Sequence, residues 1–311
     1  MANTRPTRSF GRKILRITLI VLASLIVLVA AAIYALTLPS VQQLITRKAE
    51  TFLQEKLHTR VEIGSIGLRF PYYISLEKFL LEDQQGDTLA RVGSLVVDMG
   101  MWKLLDQTIE LQKITLEDAS VYLHKKDSIF NFDFIVQAFA ADTTDVAPVD
   151  TTASPWKIQL DLAVLQLKSV DFLLQDEDAE STTQAKIGMA KTVIEKADLE
   201  NFNFELDGFT LADAEIRLIQ KKPSVEDGEP STAFGLLLKD GNISNSHIVF
   251  STTELGLDAT LEKTTLDTLY VRSANDLMAI QAKGIKVENS AVAYRDPLVA
   301  PTPGHVNAGD L

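Results

Sequence analysis

The chain has 311 residues, 46% of them hydrophobic and 23% charged, with a formal net charge of −12 and a pI of 4.9. That acidity argues against a nucleic-acid binder, whose phosphate contacts need clustered lysine and arginine. There is no cysteine, which excludes disulfides, thiolate metal sites, a cysteine nucleophile and a lipidated cysteine anchor.

The charge is unevenly spread. Arg5, Arg8, Arg12, Lys13 and Arg16 precede Ile17, with no acidic residue among them. Residues 1–16 therefore read as a basic tail. Ile17 to Leu36 is an uncharged, mostly aliphatic run, long enough to cross the hydrocarbon core as a helix. Ile17, Leu22, Leu25, Leu28, Ile33 and Leu36 are among its candidate lipid-facing residues, and the anchor is predicted over 17–38. The positive-inside rule places the tail in the cytoplasm and the bulk of the chain across the membrane. A cleaved signal peptide processed near Ala30–Ala31–Ala32 is the alternative. Against it stand the length of the run and the helical signals that continue directly after it.

Pro39 and Ser40 punctuate the chain, and an amphipathic helix is expected over 39–58. Val41, Leu44, Ile45, Ala49, Phe52 and Leu53 fall at helical spacing, with Gln43, Arg47, Glu50 and Gln54 between them. Such a stripe suits either the membrane surface or a cap on the first strands; the cap is the preferred reading. Residues 59–139 read as a first β segment. A turn is expected at Gln84–Asp87, a looser connection at Met99–Asp106, and a short helix over Phe130–Phe139 with Asn131 as its cap. Residues 140–155, rich in Asp, Thr, Pro and Ala, form a solvated linker. A second β segment follows over 156–311 and is expected to continue beyond the chain end. Turns are predicted at Asp207–Gly208, Asp227–Gly228 and Asp240–Gly241.

An eight-residue phrase recurs through both segments. It reads LEDASVYL from Leu116, LKSVDFLL from Leu167, LADAEIRL from Leu211, ISNSHIVF from Ile243 and VENSAVAY from Val287. Position one is aliphatic, three is Asp, Asn or Ser, four is small, and six and eight are apolar. The starts are 51, 44, 32 and 44 residues apart, a spacing at which a repeat architecture is the first expectation. Positions four, six and eight alternate with polar neighbours, as a strand with one buried face requires. At Leu162–Leu165 the alternation changes phase, which implies a bulge or a turn.

A family resemblance rests on particular stretches. These are KLHTRVEIGSI from Lys56, TRVEIGSIGLRF from Thr59, YYISLEKFLLEDQQGDTLARVGSLVVDM from Tyr72, and IFNFDFIVQAF from Ile129. With the anchor before them and a restart at Pro155–Trp156–Lys157, they resemble the AsmA-like family. Within it the chain is most similar to the branch of the inner-membrane subunit of the translocation and assembly module (the TamB branch). His58 stands where relatives often carry Gly, a residue better suited to a left-handed helix stop. The resemblance implies a periplasm-spanning β-groove, single-pass in the inner membrane. Such a groove moves phospholipid toward the outer membrane, or assists outer-membrane assembly beside a β-barrel partner.

Little in the sequence suggests catalysis. His58, His124, His247 and His305 show no ligand spacing, and Asp176–Glu177–Asp178 lacks the Gly and terminal Glu of a calcium loop. There is no phosphate-binding Gly loop, nucleophile elbow or Ser-x-x-Lys pair. No catalytic residue, metal or cofactor is expected, and Trp102 and Trp156 read as core anchors at strand starts. The expected fold is mainly β, a long, curved antiparallel sheet behind two helices. Its apolar face either packs on a second sheet or lines a groove, and periodicity alone leaves both open. The resemblance favours the groove. Its expected lining is Val121, Leu123, Ile158, Leu160, Leu162, Phe172, Leu174, Phe204, Leu206, Ile216, Leu218, Ile248, Phe250, Leu257, Leu261, Ile280, Val292 and Tyr294.

Overall fold

The computed structural model describes residues 10–140, 157–160, 162–198, 202–221, 234–253, 255–274, 277–295 and 304–307. The linker 140–155 (beyond Ala140), Trp156 and the Asp227–Gly228 turn lie outside the described residues. The first helix, α1 (Phe10–Leu36), is long and apolar enough over Arg16–Leu36 to cross a membrane. Two residues later α2 (Pro39–Leu57) begins, with Pro at its start where a missing N–H costs nothing. It ends at His58, which adopts the left-handed conformation (φ 52°) and donates its N–H to the Gln54 carbonyl. The left-handed stop is thus made without glycine.

Among the described residues, fifteen strands form one connected sheet. They are β1 (Val61–Arg69), β2 (Tyr73–Glu82), β3 (Thr88–Met99), β4 (Thr108–Lys126), β5 (Ile129–Phe130), β6 (Lys157–Gln159), β7 (Ala163–Asp176), β8 (Ser181–Asp198), β9 (Asn203–Gln220), β10 (Phe234–Ser251), β11 (Gly256–Ala274), β12 (Leu277–Lys283), β13 (Lys286–Glu288), β14 (Ala291–Arg295) and β15 (Gly304–Asn307). The main path runs β1-β2-β3-β4-β7-β8-β9-β10-β11-β14-β15 and does not close on itself. Its ten steps of about 4.8 Å carry the sheet roughly 48 Å.

Most ladders are antiparallel, as expected. The exceptions are β4/β7, β9/β10 and the short β4/β6, which are parallel. The reason is connection length, because a tight turn reverses the chain whereas a parallel return needs a long crossover. The β4–β7 crossover contains β5, α3 (Asp133–Ala140) and β6, and the β9–β10 crossover spans residues 221–233. Consequently Leu116 is paired with Leu167, and Leu211 with Ile243. All five phrases run in one direction at one level of the sheet.

Position three of each phrase has a common backbone role. Asp118, Ser169, Asp213, Asn245 and Asn289 all have φ between 44° and 53°, and Lys78 in β2 matches them at 52°. Asp and Asn tolerate this conformation better than other residues with a side chain. Opposite two of them stand glycines. A Cβ on Gly93 would lie 2.8 Å from that of Asp118, and one on Gly188 2.6 Å from that of Asp213. Each left-handed residue shifts the alternation, so that positions one and four, three apart, share a face. The positions align across the sheet into a transverse crease. A second, shorter crease crosses Gly208 and Asp240, both with positive φ. Asp207–Gly208 and Asp240–Gly241 are therefore bends inside the continuous strands β9 and β10, not the turns their composition suggests.

The free edge of β1 is covered by α2. Four polar residues at four-residue spacing reach its backbone. Gln42 and Gln54 donate to the carbonyls of Leu68 and Val61, while Thr46 Oγ1 and Glu50 Oε2 accept from the N–H groups of Ile66 and Ile63. An edge strand that would otherwise be open to pairing with another chain is thereby satisfied. The apolar side of α2 (Ala49, Leu53 and Leu57) packs with Val61, Ile63, Leu81 and Leu89, joined by Phe134, Ile135 and Ala138 of α3. Leu44 and Phe52, assigned by periodicity to the same stripe, are instead exposed on the far side.

Candidate functional site

The crease places one apolar face on the concave side of the sheet, and strand register orders that face into rows. Cross-strand partners carry position one through Ile66, Leu76, Leu95, Leu116, Leu167, Ala190, Leu211 and Ile243. Position four continues through Ile63, Phe79, Val92, Ala119, Val170, Ile187 and Ala214. These two rows flank the crease. From β4 onward they supply most of the buried side chains, among them Ala119, Val170, Leu211, Ala214, Ser246 and Leu261. They form the floor.

One wall rises from the floor through positions six and eight. Val121, Phe172, Ile216, Ile248 and Val292 follow one another in register, with Ala185 and Ala259 between them. Above them come Leu123, Leu174, Leu218, Phe250, Leu257 and Tyr294. These residues are mostly half-buried, and Tyr294 at the far end is 50% exposed. At the strand ends a concavity of about 420 Å³ is lined from both faces, by Phe250, Leu257 and Tyr294 and by Val249, Asp258 and Arg295, beside Thr252 and Thr253. The opposite wall is the register row Ala163, Ile194, Leu206, Leu238, Leu269. Phe204 lies one pair further out, opposite Leu236.

Most of the expected lining residues are thus brought onto one concave face, with Leu261 on the floor. Three predicted in the stretch 158–162 are not in its rows. Ile158 sits in the short β6 beside Ile109, Leu160 follows it, and β7 starts only at Ala163. Leu162 has φ 66°, is 72% exposed and points away. The phase change read in the sequence falls at Leu162, so Leu165 and Leu167 carry the lining instead. Ile280 is the backbone partner of Val271 in β12. Missed by the sequence reading were the position-one row and Leu165, Leu236, Leu238, Leu269 and Val271. Strict alternation sends position one to the opposite face from positions four, six and eight. The recurrent Asp, Asn or Ser at position three was the one available sign that it does not.

The convex face is polar and cross-linked between strands. Lys239 bridges Glu195 and Glu205, Lys263 meets Glu288 at 2.8 Å, and His247 meets Asp258 at 2.8 Å. Hydrogen bonds from Lys263 and Lys286 hold the Glu288 carboxyl down to about 2. At the rim, the Asp176–Glu177–Asp178 turn is tied to the end of β4 rather than left to solvent. Asp176 meets Lys125 at 3.1 Å, Glu177 meets His124 and Lys126, and Asp178 accepts from the N–H groups of Asp127 and Ser128. Burial works to raise Asp176, but the Ala179 N–H and the Lys125 ammonium outweigh it and keep the carboxyl below its usual range. Among the described residues no group of His, Asp and Glu is arranged to hold a metal ion.

Two smaller expectations change. Trp102 is no core anchor. It lies in the 3₁₀ turn Met101–Asp106, 59% exposed, with its ring edge-on to Phe70 at 4.8 Å. Asn131 does not cap α3, which starts two residues later. Its amide bonds the backbone of His124 and Tyr122, and Asp133 accepts from the Phe130 N–H.

An apolar helix, a helix-capped sheet edge and a long creased sheet with one greasy face make a recognisable plan, and the family model for the AsmA family matches residues 11–293. The chain belongs to the AsmA family. A search of curated proteins finds no match. In this AsmA-family protein, helices are packed on the concave face at β1–β4. There α2 and α3 lie on the sheet; among the described residues no other helix joins a core cluster on that face.

Proposed function

We propose that this AsmA-family chain is a non-enzymatic lipid conduit of the TamB branch. α1 anchors it in the inner membrane, with the N-terminus cytoplasmic and the sheet in the periplasm. The concave face carries phospholipid tails toward the outer membrane while head groups stay wet at the rim. One observation carries this reading. Aliphatic and aromatic side chains from successive strands, β4 through β14, form a mainly apolar face, interrupted by Thr183, Ser246 and Thr264, that no second layer covers among the described residues. A soluble protein seldom leaves so long an apolar strip without an occupant, and each methylene lodged there contributes about 0.8 kcal/mol. The floor suits tails because Leu, Ile, Val and Ala follow one another along it, and the rim suits head groups because charged side chains begin there.

Photocrosslinking residues placed at Phe172, Ile216 and Ile248 in cells should give phospholipid adducts. Placed at Lys168, Glu215 and Arg217 on the convex face they should give none. Adducts confined to the convex set would overturn the conduit. Two of the same positions separate it from a scaffold that only docks an outer-membrane β-barrel by strand addition. Aspartate at Ile216 and Ile248 should abolish a conduit's function in a protein that still folds, and leave a scaffold's intact.

A further inference from the structure

We infer that the outward face of α2 lies in the surface of the membrane that α1 crosses, so that β1 runs along the bilayer and the sheet stacks away from it. The inference rests on the anchor reading given above. α2 has two opposite faces of different chemistry. One carries Gln42, Thr46, Glu50 and Gln54, whose side chains bond the edge of β1. Leu44, Lys48 and Phe52 follow two residues behind at the same spacing, about 200° round the helix. Leu44 is 57% and Phe52 54% exposed, with basic Arg47 and Lys48 between them. Apolar side chains beside lysine and arginine are what a helix presents to a lipid–water interface.

Chain continuity identifies the occupant. Only Thr37 and Leu38 separate the end of α1 from Pro39, and two residues reach at most about 7 Å. The Gln42 side chain donates to both Leu36, the last residue of the span, and Leu68 near the end of β1. The junction is therefore fixed to the sheet rather than hinged freely. If α1 crosses the bilayer, the first turn of α2 stands at its surface, and Leu44 and Phe52 lie next along the only side the sheet does not use. Because α2 follows β1 for most of its length, an interfacial α2 sets the stacking direction of the strands, and with it the axis of the groove, pointing out of the membrane.

The absence of cysteine makes the test direct. Single variants Val27→Cys, Leu44→Cys, Phe52→Cys and Lys186→Cys of the full chain carry a nitroxide label in vesicles of phosphatidylethanolamine and phosphatidylglycerol. Collisions with oxygen, which concentrates in lipid, are compared with those with a water-soluble nickel chelate. The labels at 44 and 52 should show an oxygen-to-nickel ratio several-fold above that at Lys186 on the convex face of β8, and below that at Val27. Equal ratios at 44, 52 and 186, with Val27 deep, would overturn the inference and leave the anchor standing. Labels at 44 and 52 shielded from both reagents would overturn it in favour of a protein cover, whether a second copy or a partner. An aqueous Val27 would overturn the anchor reading and this inference with it.

Discussion

The first four strands and the strands from β7 to β14 are built from similar sequence, yet their apolar faces end differently. Over β1–β3, Val61, Ile63, Leu81 and Leu89 are buried beneath α2 and α3, and Val61 is wholly inaccessible. Over β7–β14 the buried residues lie along the crease and the Ala163–Ile194–Leu238 wall and many are small, while Phe172, Ile216, Leu218, Ile248 and Phe250 on the other wall remain half-open. Strand chemistry alone does not distinguish the regions. Coverage does, because a sheet face becomes core only where another layer rests on it. The first region is a closed foundation, and the second is the same sheet with no helix over it among the described residues.

If that contrast is right, truncations should cost very different amounts in the two regions. Leu81→Ala or Leu57→Ala should destabilise the protein by about 2–5 kcal/mol, as buried large-to-small changes do. Ile248→Ala, on the open wall, should cost only about 1–2 kcal/mol. Denaturant titration of the anchored chain in detergent reads both, and equal losses would mean that something covers the second region too.

A middling effect is expected at the crease that joins the two walls. Asp213→Val puts a β-branched residue at φ 53° opposite Gly188 and should cost about 1–3 kcal/mol. Asp213→Asn should be close to neutral, since asparagine also tolerates the left-handed region. A harmless valine would show that the strand is straight there and that positions one and four do not share a face.

The smallest effect is electrostatic and is read best in the open region. Glu288 has its folded pKa depressed to about 2 by Lys263 and Lys286. Its contribution is therefore present above the unfolded carboxylate range and is lost as pH falls through about 2. Glu177 is lowered in the same sense by Lys126 and His124. Amide protection factors in β13 and in the Asp176–Asp178 turn should fall on acidification before those of β1 and β2. Simultaneous loosening everywhere would remove the distinction between the regions.

Much of this was visible in the chain itself. Twenty uncharged residues from Ile17 specify a membrane-length helix, and alternating runs bounded by polar turns specify strands. The spacing of the phrases specifies a repeat, because each of these signals depends on neighbours within a turn or a pleat. What the tertiary structure decided was which residues share a face. A left-handed Asp118 or Asp213 looks the same in sequence as a turn residue. Only its pairing across the strand, and the glycine waiting opposite, make it a bend that carries Leu116 and Leu211 into the floor. The same holds for α2. Its polar residues read as a solvent face until the unpaired edge of β1, supplied by the fold, gives them partners and turns Leu44 and Phe52 outward.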